Sequence, residues 1–405
     1  MLIKELFPQS PQVLINLNED LSFHSFYKAL KRTRPFNDEP KFYQYSCEIN
    51  GLDEDSFGSG ISLNEDIAKI KAIGESIERQ ALANNGLSAI TKKFSDISTN
   101  AADPSLWLDI DKLKDSSLVD RLRLTEFRWL EGVNIFSESK IYVPAQLVFV
   151  PYTFGNEPLL RMPISTGAAF GLSIKDSISR GILEAVERDA FMMNYLVESH
   201  SPRIIHPQID IFKKYLSRYK LTLDVFCMEN EFKIPVALSI VRDTTGIGPY
   251  LTAGLKADFS IESAITGSVL ESIHVRSWLR FSYSVDGNPT INSPKGITDL
   301  KTRGYYWYKN TENANLKFLL DHNNETDMSE YANSSIKNLL EYLNVNKFHV
   351  FYVNITNPNH PGFVTKTLVS ELQPLKLIES KDFFKSERLS ALKKEGYNIT
   401  PHPFT

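Results

Sequence analysis

Two short stretches, Gly74-Glu75-Ser76-Ile77-Glu78-Arg79 and Leu183-Glu184-Ala185-Val186-Glu187-Arg188, repeat one pattern: two carboxylates three residues apart, with an arginine directly behind the second. Residues three apart on a helix lie on the same side, one turn on. A weaker echo follows at Leu270-Glu271-Ser272-Ile273-His274-Val275-Arg276. On a wheel of about 100° per residue, Ile67, Ile70, Gly74, Ile77 and Ala81 form an apolar stripe, and Lys71, Glu75 and Glu78 form a ridge beside it. Ile178, Ile182, Ala185 and Val186 form the second stripe, with Asp176, Arg180, Glu184 and Glu187 on a shared strip. In the third stretch Ile261, Ile265 and Val269 define the stripe, and Arg276 lies about 20° from Ile265. A guanidinium there is costly unless carboxylates or phosphate pair with it.

Working outward, each of the first two helices follows a glycine turn, Ser56-Phe57-Gly58-Ser59-Gly60 and Ser165-Thr166-Gly167. Ser62 to Glu65 looks like a capping box, and Asn84-Asn85-Gly86 like a helix end. The spacing predicts helices over about 62–84, 174–197 and 260–279, with a shorter one near 336–343 and another at Leu21–Leu30. Strands are expected at 42–49, 124–130, 141–150, 161–164, 222–228, 236–242, 250–253 and 349–355. Residues 92–120 read as a polar surface excursion. Strand, turn and helix recur, but the strands also form hairpin-like runs. The expected fold is therefore α+β, with mixed β-sheets packed with helices. Residues 1–45 are expected to form an N-terminal segment and 46–405 a single domain that includes a C-terminal proline-rich tail.

The 405 residues are enough for a large core, and 42% hydrophobic and 23% charged residues are ordinary for a globular protein. A formal charge of −4 argues against a nucleic-acid surface. No signal peptide or membrane-length apolar run is present, so neither nucleic acid nor membrane is expected as a partner, and the expected location is cytoplasmic. Cys47 and Cys227 are too few and too far apart for a disulfide framework or a metal spacing.

Carboxylate pairs that converge from two helices suit cations and phosphates. That points to an enzyme dependent on ATP and magnesium. The rival reading is a set of solvated helix faces whose ion pairs are worth a few tenths of a kcal/mol each. The glycine turns offer N–H groups to phosphate but are not Walker motifs. His274 reads equally as a half-buried, hydrogen-bonded histidine or as a ligand.

Taken together, the glycine turns, the two Glu-x-x-Glu-Arg stretches, the Ala264–Arg276 segment, Leu372-Gln373-Pro374-Leu375 and the terminal Pro401-His402-Pro403-Phe404 resemble the YcaO family of ATP-dependent peptide-backbone-modifying enzymes. The resemblance covers roughly residues 47–279 and 364–405. It implies ATP and Mg2+ as cofactors. Glu75, Glu78, Asp176, Glu184 and Glu187 would be metal-holding acids, and Lys71, Arg79, Ser165, Thr166, Arg188, His274 and Arg276 would be nucleotide contacts. Pro401, Pro403 and Thr405 would form a catalytic tail that presents the terminal carboxylate.

The implied reaction is cyclodehydration of a ribosomal peptide. A Cys, Ser or Thr side chain attacks the preceding carbonyl, ATP phosphorylates the resulting oxygen, and loss of phosphate leaves a thiazoline or (methyl)oxazoline. The sequence departs from the family pattern at Ser59 (usually lysine), Lys71 (serine), Thr166 (asparagine), Asp176 (glutamate) and His274 (glutamine), and Thr405 stands where a final proline is usual. Thioamide or macrocyclic amidine formation is the alternative chemistry, and a non-catalytic peptide-binding scaffold the alternative class. The expected partners are the precursor peptide and a separate leader-peptide-binding, E1-like (ThiF-like) protein. The family also admits a flavin dehydrogenase, and a homodimer within a larger synthetase.

Overall fold

The computed structural model describes residues 27–49, 57–83, 87–309, 316–379 and 383–405. In chain order the main elements are β1 (Tyr27–Arg32), β2 (Tyr43–Ile49), β3 (Gly58–Ser62), α1 (Glu65–Ala83), β4 (Ile90–Lys93), β5 (Glu126–Asn134), β6 (Lys140–Pro144), β7 (Ala168–Gly171), α2 (Ile174–Val197), β8 (Arg203–Ile204) and α3 (Pro207–Leu216). Then come β9 (Leu221–Cys227), β10 (Val236–Asp243), β11 (Leu251–Ala257), α4 (Ile261–Val285), α5 (Leu300–Lys309), β12 (Glu325–Thr326), α6 (Ile336–Val345), β13 (Val350–Asn354) and β14 (Phe363–Val369). Short helical turns lie between them. The strands form three sheets, ordered β1-β2-β3, β4-β5-β13-β14-β7 with β6 on β5, and β11-β10-β9-β8-β12. All pairings are antiparallel except β12 with β8. The fold is α+β with mixed sheets, as the sequence pattern predicts.

Each sheet carries one long helix: α1 packs on β3 and β2, α2 on β14 and β7, and α4 on β11 and β10. The three units also close on one another, because α1 touches β7, α2 touches β11 and α4 touches β3. Glycine permits the close approach of helix to strand. A Cβ at Gly60 would lie 2.2 Å from the Ala68 carbonyl oxygen, and one at Gly254 would lie 2.1 Å from that of Ser268. Gly58-Ser59-Gly60 is therefore strand rather than the expected turn, and its glycines serve packing. For the same reason the buried stripe of α1 runs through small residues, Ala68, Ala72, Ser76 and Ala81 among them.

Several local expectations are corrected. Asn64, not Ser62, caps α1, with its side chain accepting from the Asp66 and Ile67 N–H groups. The helix expected at Leu21–Leu30 falls partly outside the described residues, and its described end, residues 27–30, is strand. Residues 161–164 form no strand. Residues 92–120 are not merely surface: Pro104–Trp107 is a helical turn with Trp107 only 1% exposed. The Asn84–Gly86 helix stop lies outside the described residues. No described helix is long and apolar enough to cross a membrane.

The boundary expected at residue 45 cuts through β2, and residues before it are tied into the far end of the chain. Arg276 on α4 is 2% exposed. It donates through Nε to Glu39 Oε2 (2.7 Å), through Nη2 to Asp243 Oδ2 (2.6 Å) and through Nη1 to the Pro249 carbonyl (2.7 Å). Arg280, one turn on, pairs with Asp38 and Glu39. Removing the guanidinium leaves the buried Asp243 without a cation and Glu39 with Arg280 alone. Arg276→Ala should therefore lower unfolding free energy by about 3–5 kcal/mol, read from the urea midpoint.

Candidate active site

The three long helices converge on a cavity of about 420 Å³. A regular set of hydrogen bonds fixes its acids. Glu75 on α1 accepts from the Ser59 N–H (2.6 Å) and hydroxyl (2.9 Å) on β3. Glu184 on α2 accepts from the Gly167 N–H just before β7 (2.9 Å), and Glu271 on α4 from the Leu255 N–H on β11 (2.6 Å). Each thus binds the strand beneath its own helix. One turn further on, the second acid reaches the neighbouring unit. Glu78 accepts from the Phe170 N–H on β7 at 3.3 Å, and Glu187 from the Ala257 N–H on β11 at 2.6 Å. His274 holds the equivalent position on α4.

Cations face the same space. Arg188 lies near Glu184 (3.5 Å) and Glu187 (3.6 Å), and its Nη1 is buried without a hydrogen-bond partner. Lys71 donates to the Ile61 carbonyl at 3.3 Å. Arg180 holds Asp176 at 2.9 Å, and Lys256 lines the wall.

Of the sequence-predicted residues, the structure brings Lys71, Glu75, Glu78, Asp176, Glu184, Glu187, Arg188 and His274 together around this cavity. The others lie elsewhere. Arg79 is exposed outside the cavity lining and grips Glu75 at 2.7 Å. Arg276 lies outside the cavity lining, and each of its three side-chain nitrogens donates to Glu39, Asp243 or the Pro249 carbonyl. Ser165 is exposed, and Thr166 lines a different cavity.

Pro401, Pro403 and Thr405 do not line the site either, but their segment is packed, not frayed. His402 and Phe404 are 1% and 4% exposed, and the Phe404 ring lies 4.2 Å beneath the Arg188 guanidinium. Glu271, Lys256 and Arg180 were not among the predicted site residues. Glu271 carried a signal, as the first acid of the third echo. Lys256 is placed only by tertiary structure.

The acids are electrostatically loaded. Burial, followed by the charges of Glu184 and Glu75, holds Glu78 well above the usual carboxylate range. Burial, opposed by Arg188 and Lys256, pushes Glu187 up to about 7. Burial also raises Glu271 and lowers His274. Lys71 opens onto the cavity, yet surrounding protein and then Lys256 and Arg180 pull it down to about 8.

Among the described residues no three His, Cys, Asp or Glu side chains form a metal cage. Uncompensated carboxylates beside several cations instead fit a magnesium–phosphate group, since Mg2+ takes one or two carboxylates and completes its shell with phosphates and water. The titration has a stability consequence. Between its ordinary value near 4.5 and about 7, folded Glu187 keeps a proton that the unfolded chain has lost. Stability should therefore fall as pH rises through that window, by roughly 2–3 kcal/mol at most. Urea unfolding at pH 5 and 7 should show this slope, and Glu187→Gln should reduce it, leaving the part of like sign from Glu78 and Glu271.

Comparison with known proteins agrees with this geometry. The YcaO family model, described as YcaO cyclodehydratase, ATP- and Mg2+-binding, matches residues 59–373. No curated protein matches the chain in sequence. A solved heterocyclase in complex with substrate and cofactor aligns over 96% of this chain with TM-score 0.75 and 16% identity. The YcaO protein from Methanopyrus kandleri bound with AMPPCP and Mg2+ covers 92% of each chain, with TM-score 0.66 and 16% identity. The E. coli microcin synthetase McbBCD complex with pro-MccB17 bound aligns over 85% of this chain and 88% of its own, with TM-score 0.66 and 16% identity. At such identities these likenesses concern the fold. The chain spans 57% of the first heterocyclase and 52% of the heterocyclase TruD. With its family match covering most of its length, the chain belongs to the YcaO cyclodehydratase family, whose members are described as binding ATP and Mg2+.

Proposed function

We propose that the chain is an ATP- and Mg2+-dependent cyclodehydratase that converts Cys, Ser or Thr of a ribosomal peptide into a thiazoline or (methyl)oxazoline. The observation that carries this reading is the crossing of Glu78 and Glu187 from one structural unit to the next, which puts acids from three helices around one cavity beside Arg188. Among the described residues Glu78 is in no ion pair, and a further cation would relieve its repulsion with Glu184 and Glu75. This argues against a non-catalytic scaffold. The precursor peptide, a separate leader-binding E1-like partner and assembly into a larger synthetase, as a homodimer or with a flavin dehydrogenase, belong to the same proposal.

When bound, Mg-ATP would supply the γ-phosphoryl group taken by the former carbonyl oxygen after side-chain attack, so that this oxygen would depart within phosphate and ADP would be released. The chain's own residues provide alignment and charge. Glu78, Glu184 and Glu187 are the acids best placed for magnesium, and Lys71, Arg180, Lys256 and Arg188 the cations for phosphate oxygens. Fixed charges of this kind account for most catalysis in phosphoryl transfer. The tail enters through Phe404, whose ring supports one face of Arg188. Its backbone is anchored where Tyr195 donates to the Pro401 carbonyl (3.0 Å) and Trp307 to the His402 carbonyl (3.2 Å).

Glu78→Gln and Glu187→Gln should each reduce phosphate release at least about 100-fold while leaving the circular dichroism spectrum unchanged. Near wild-type turnover in Glu187→Gln would refute the assignment of that acid. Arg276→Ala, if it remains folded, should bind Mg-ATP normally by calorimetry. Deleting residues 401–405, which removes the buried His402 and Phe404, should stop ring formation, and undiminished cyclisation would dismiss a role for the tail.

A further inference from the structure

We infer that the peptide's main chain docks in a second passage, beside the acid-lined cavity and lined by buried hydrogen-bond donors suited to an extended main chain. An outer cavity of about 640 Å³ opens between residues 159–164 on one side and residues 374–378 and 383–385 on the other. It continues into an inner chamber of about 50 Å³, and the two share Arg161, Met162, Ile164 and Pro374. The chamber ends on Trp107, Thr166, Lys366 and Thr367. Neither space shares a lining residue with the acid-lined cavity. The partition is the turn through Thr166 and Gly167. It is thin: Gly167 has φ +86°, and a Cβ there would lie 2.1 Å from the Thr367 carbonyl oxygen. Just beyond it, the Gly167 N–H is bonded to Glu184.

Two donors in this wall lack acceptors. Trp107 Nε1 and Arg161 Nε are buried without hydrogen-bond partners, and Trp107 is 1% exposed. An unpartnered buried donor is costly, and the carbonyls of an extended chain are the acceptors that fit beside apolar walls. Arg161 is held rigidly, its Nη2 donating to the Ser370 carbonyl (3.0 Å) and its guanidinium lying 4.1 Å over the Phe384 ring.

Charge at the mouth is mixed rather than of one sign: Lys385 pairs with Asp111 and Lys376 with Glu379, both at 2.8 Å, and Asp109 and Lys112 line it as well. A neutral main chain suits it better than an ionic ligand. The inner chamber has room for only a few atoms, given roughly 10–15 Å³ of such volume per water. The residue seated there is therefore small, as Cys, Ser and Thr are.

Other groups converge on the same wall. Lys366, 1% exposed at the chamber's end, donates to the carbonyls of Ile164 (2.5 Å) and Thr166 (2.7 Å). His402 of the tail contacts the Lys376 carbonyl at 2.9 Å, and Arg303 donates to those of Lys376 (3.0 Å) and Leu377 (2.9 Å). The tail thus braces one side of the passage while Phe404 supports Arg188 at the acid site.

This inference rests on the reading of the chain as a peptide-modifying enzyme, and the test separates the two. The probe is a pool of ten-residue peptides with one central Cys, Ser or Thr, a benzophenone side chain near one end and all other positions randomised. After irradiation with the full-length protein, cross-links should map to residues 159–164, 374–378 and 383–385. Ile164→Trp, which fills the throat, should reduce them at least about tenfold. So should Leu159→Trp, placed at the exposed rim where refolding is not at issue. Both variants should keep Mg-ATP affinity within about twofold. Cross-links that map elsewhere, or that survive both tryptophans, would overturn the passage. Absence of Mg-ATP binding in the unaltered chain would instead remove the underlying functional reading.

Discussion

A carboxylate on each long helix accepts a hydrogen bond from a main-chain amide of the strand packed beneath it, and the site follows from that contact. The bond requires the helix to approach the strand closely, which in turn requires glycine on the strand and small residues on the helix. Gly60 against Ala68 and Gly254 against Ser268 meet that requirement. The same closeness desolvates the acids. Burial is the largest influence on Glu78, Glu187 and Glu271, and it acts before any neighbouring charge.

The second acid of each pair spans two units, so the cavity exists only where the three helix–sheet units close on one another. Arg188 is the convergence point. It meets Glu184 and Glu187 at its edge and Phe404 on its face, which connects the last residues of the chain to the acids. A side chain held on edge and face keeps its orientation with little loss of rotamer freedom on binding.

The acids were legible in the sequence because helical spacing alone places Glu75 with Glu78 and Glu184 with Glu187 on shared faces. The fold class was legible from the alternation of strand runs and helices. Arg276 was legible as a buried guanidinium in need of carboxylates, but not which ones. Glu39 lies in a segment that reads as a loop, and no local pattern connects it with α4. The pair Gly58 and Gly60 was misread because close packing and tight turning call for the same residue, and only the neighbouring backbone distinguishes them. Lys256, Trp107 and Lys366 matter through what the fold brings beside them, and a one-dimensional pattern carries no such signal.

The clamp between Glu39 and Arg276 joins residues 237 positions apart. On a ribosome that adds about 5–20 residues per second, Glu39 emerges on the order of 10–50 s before its partner is made. Throughout that interval the first sheet has an acid destined for burial and no cation to bury it with. The first helix–sheet unit therefore cannot reach its final form as it emerges, although its hydrophobic contacts are local. Completion waits for the third helix, and the nascent chain presents an unfinished edge to whatever binds such edges in the cell.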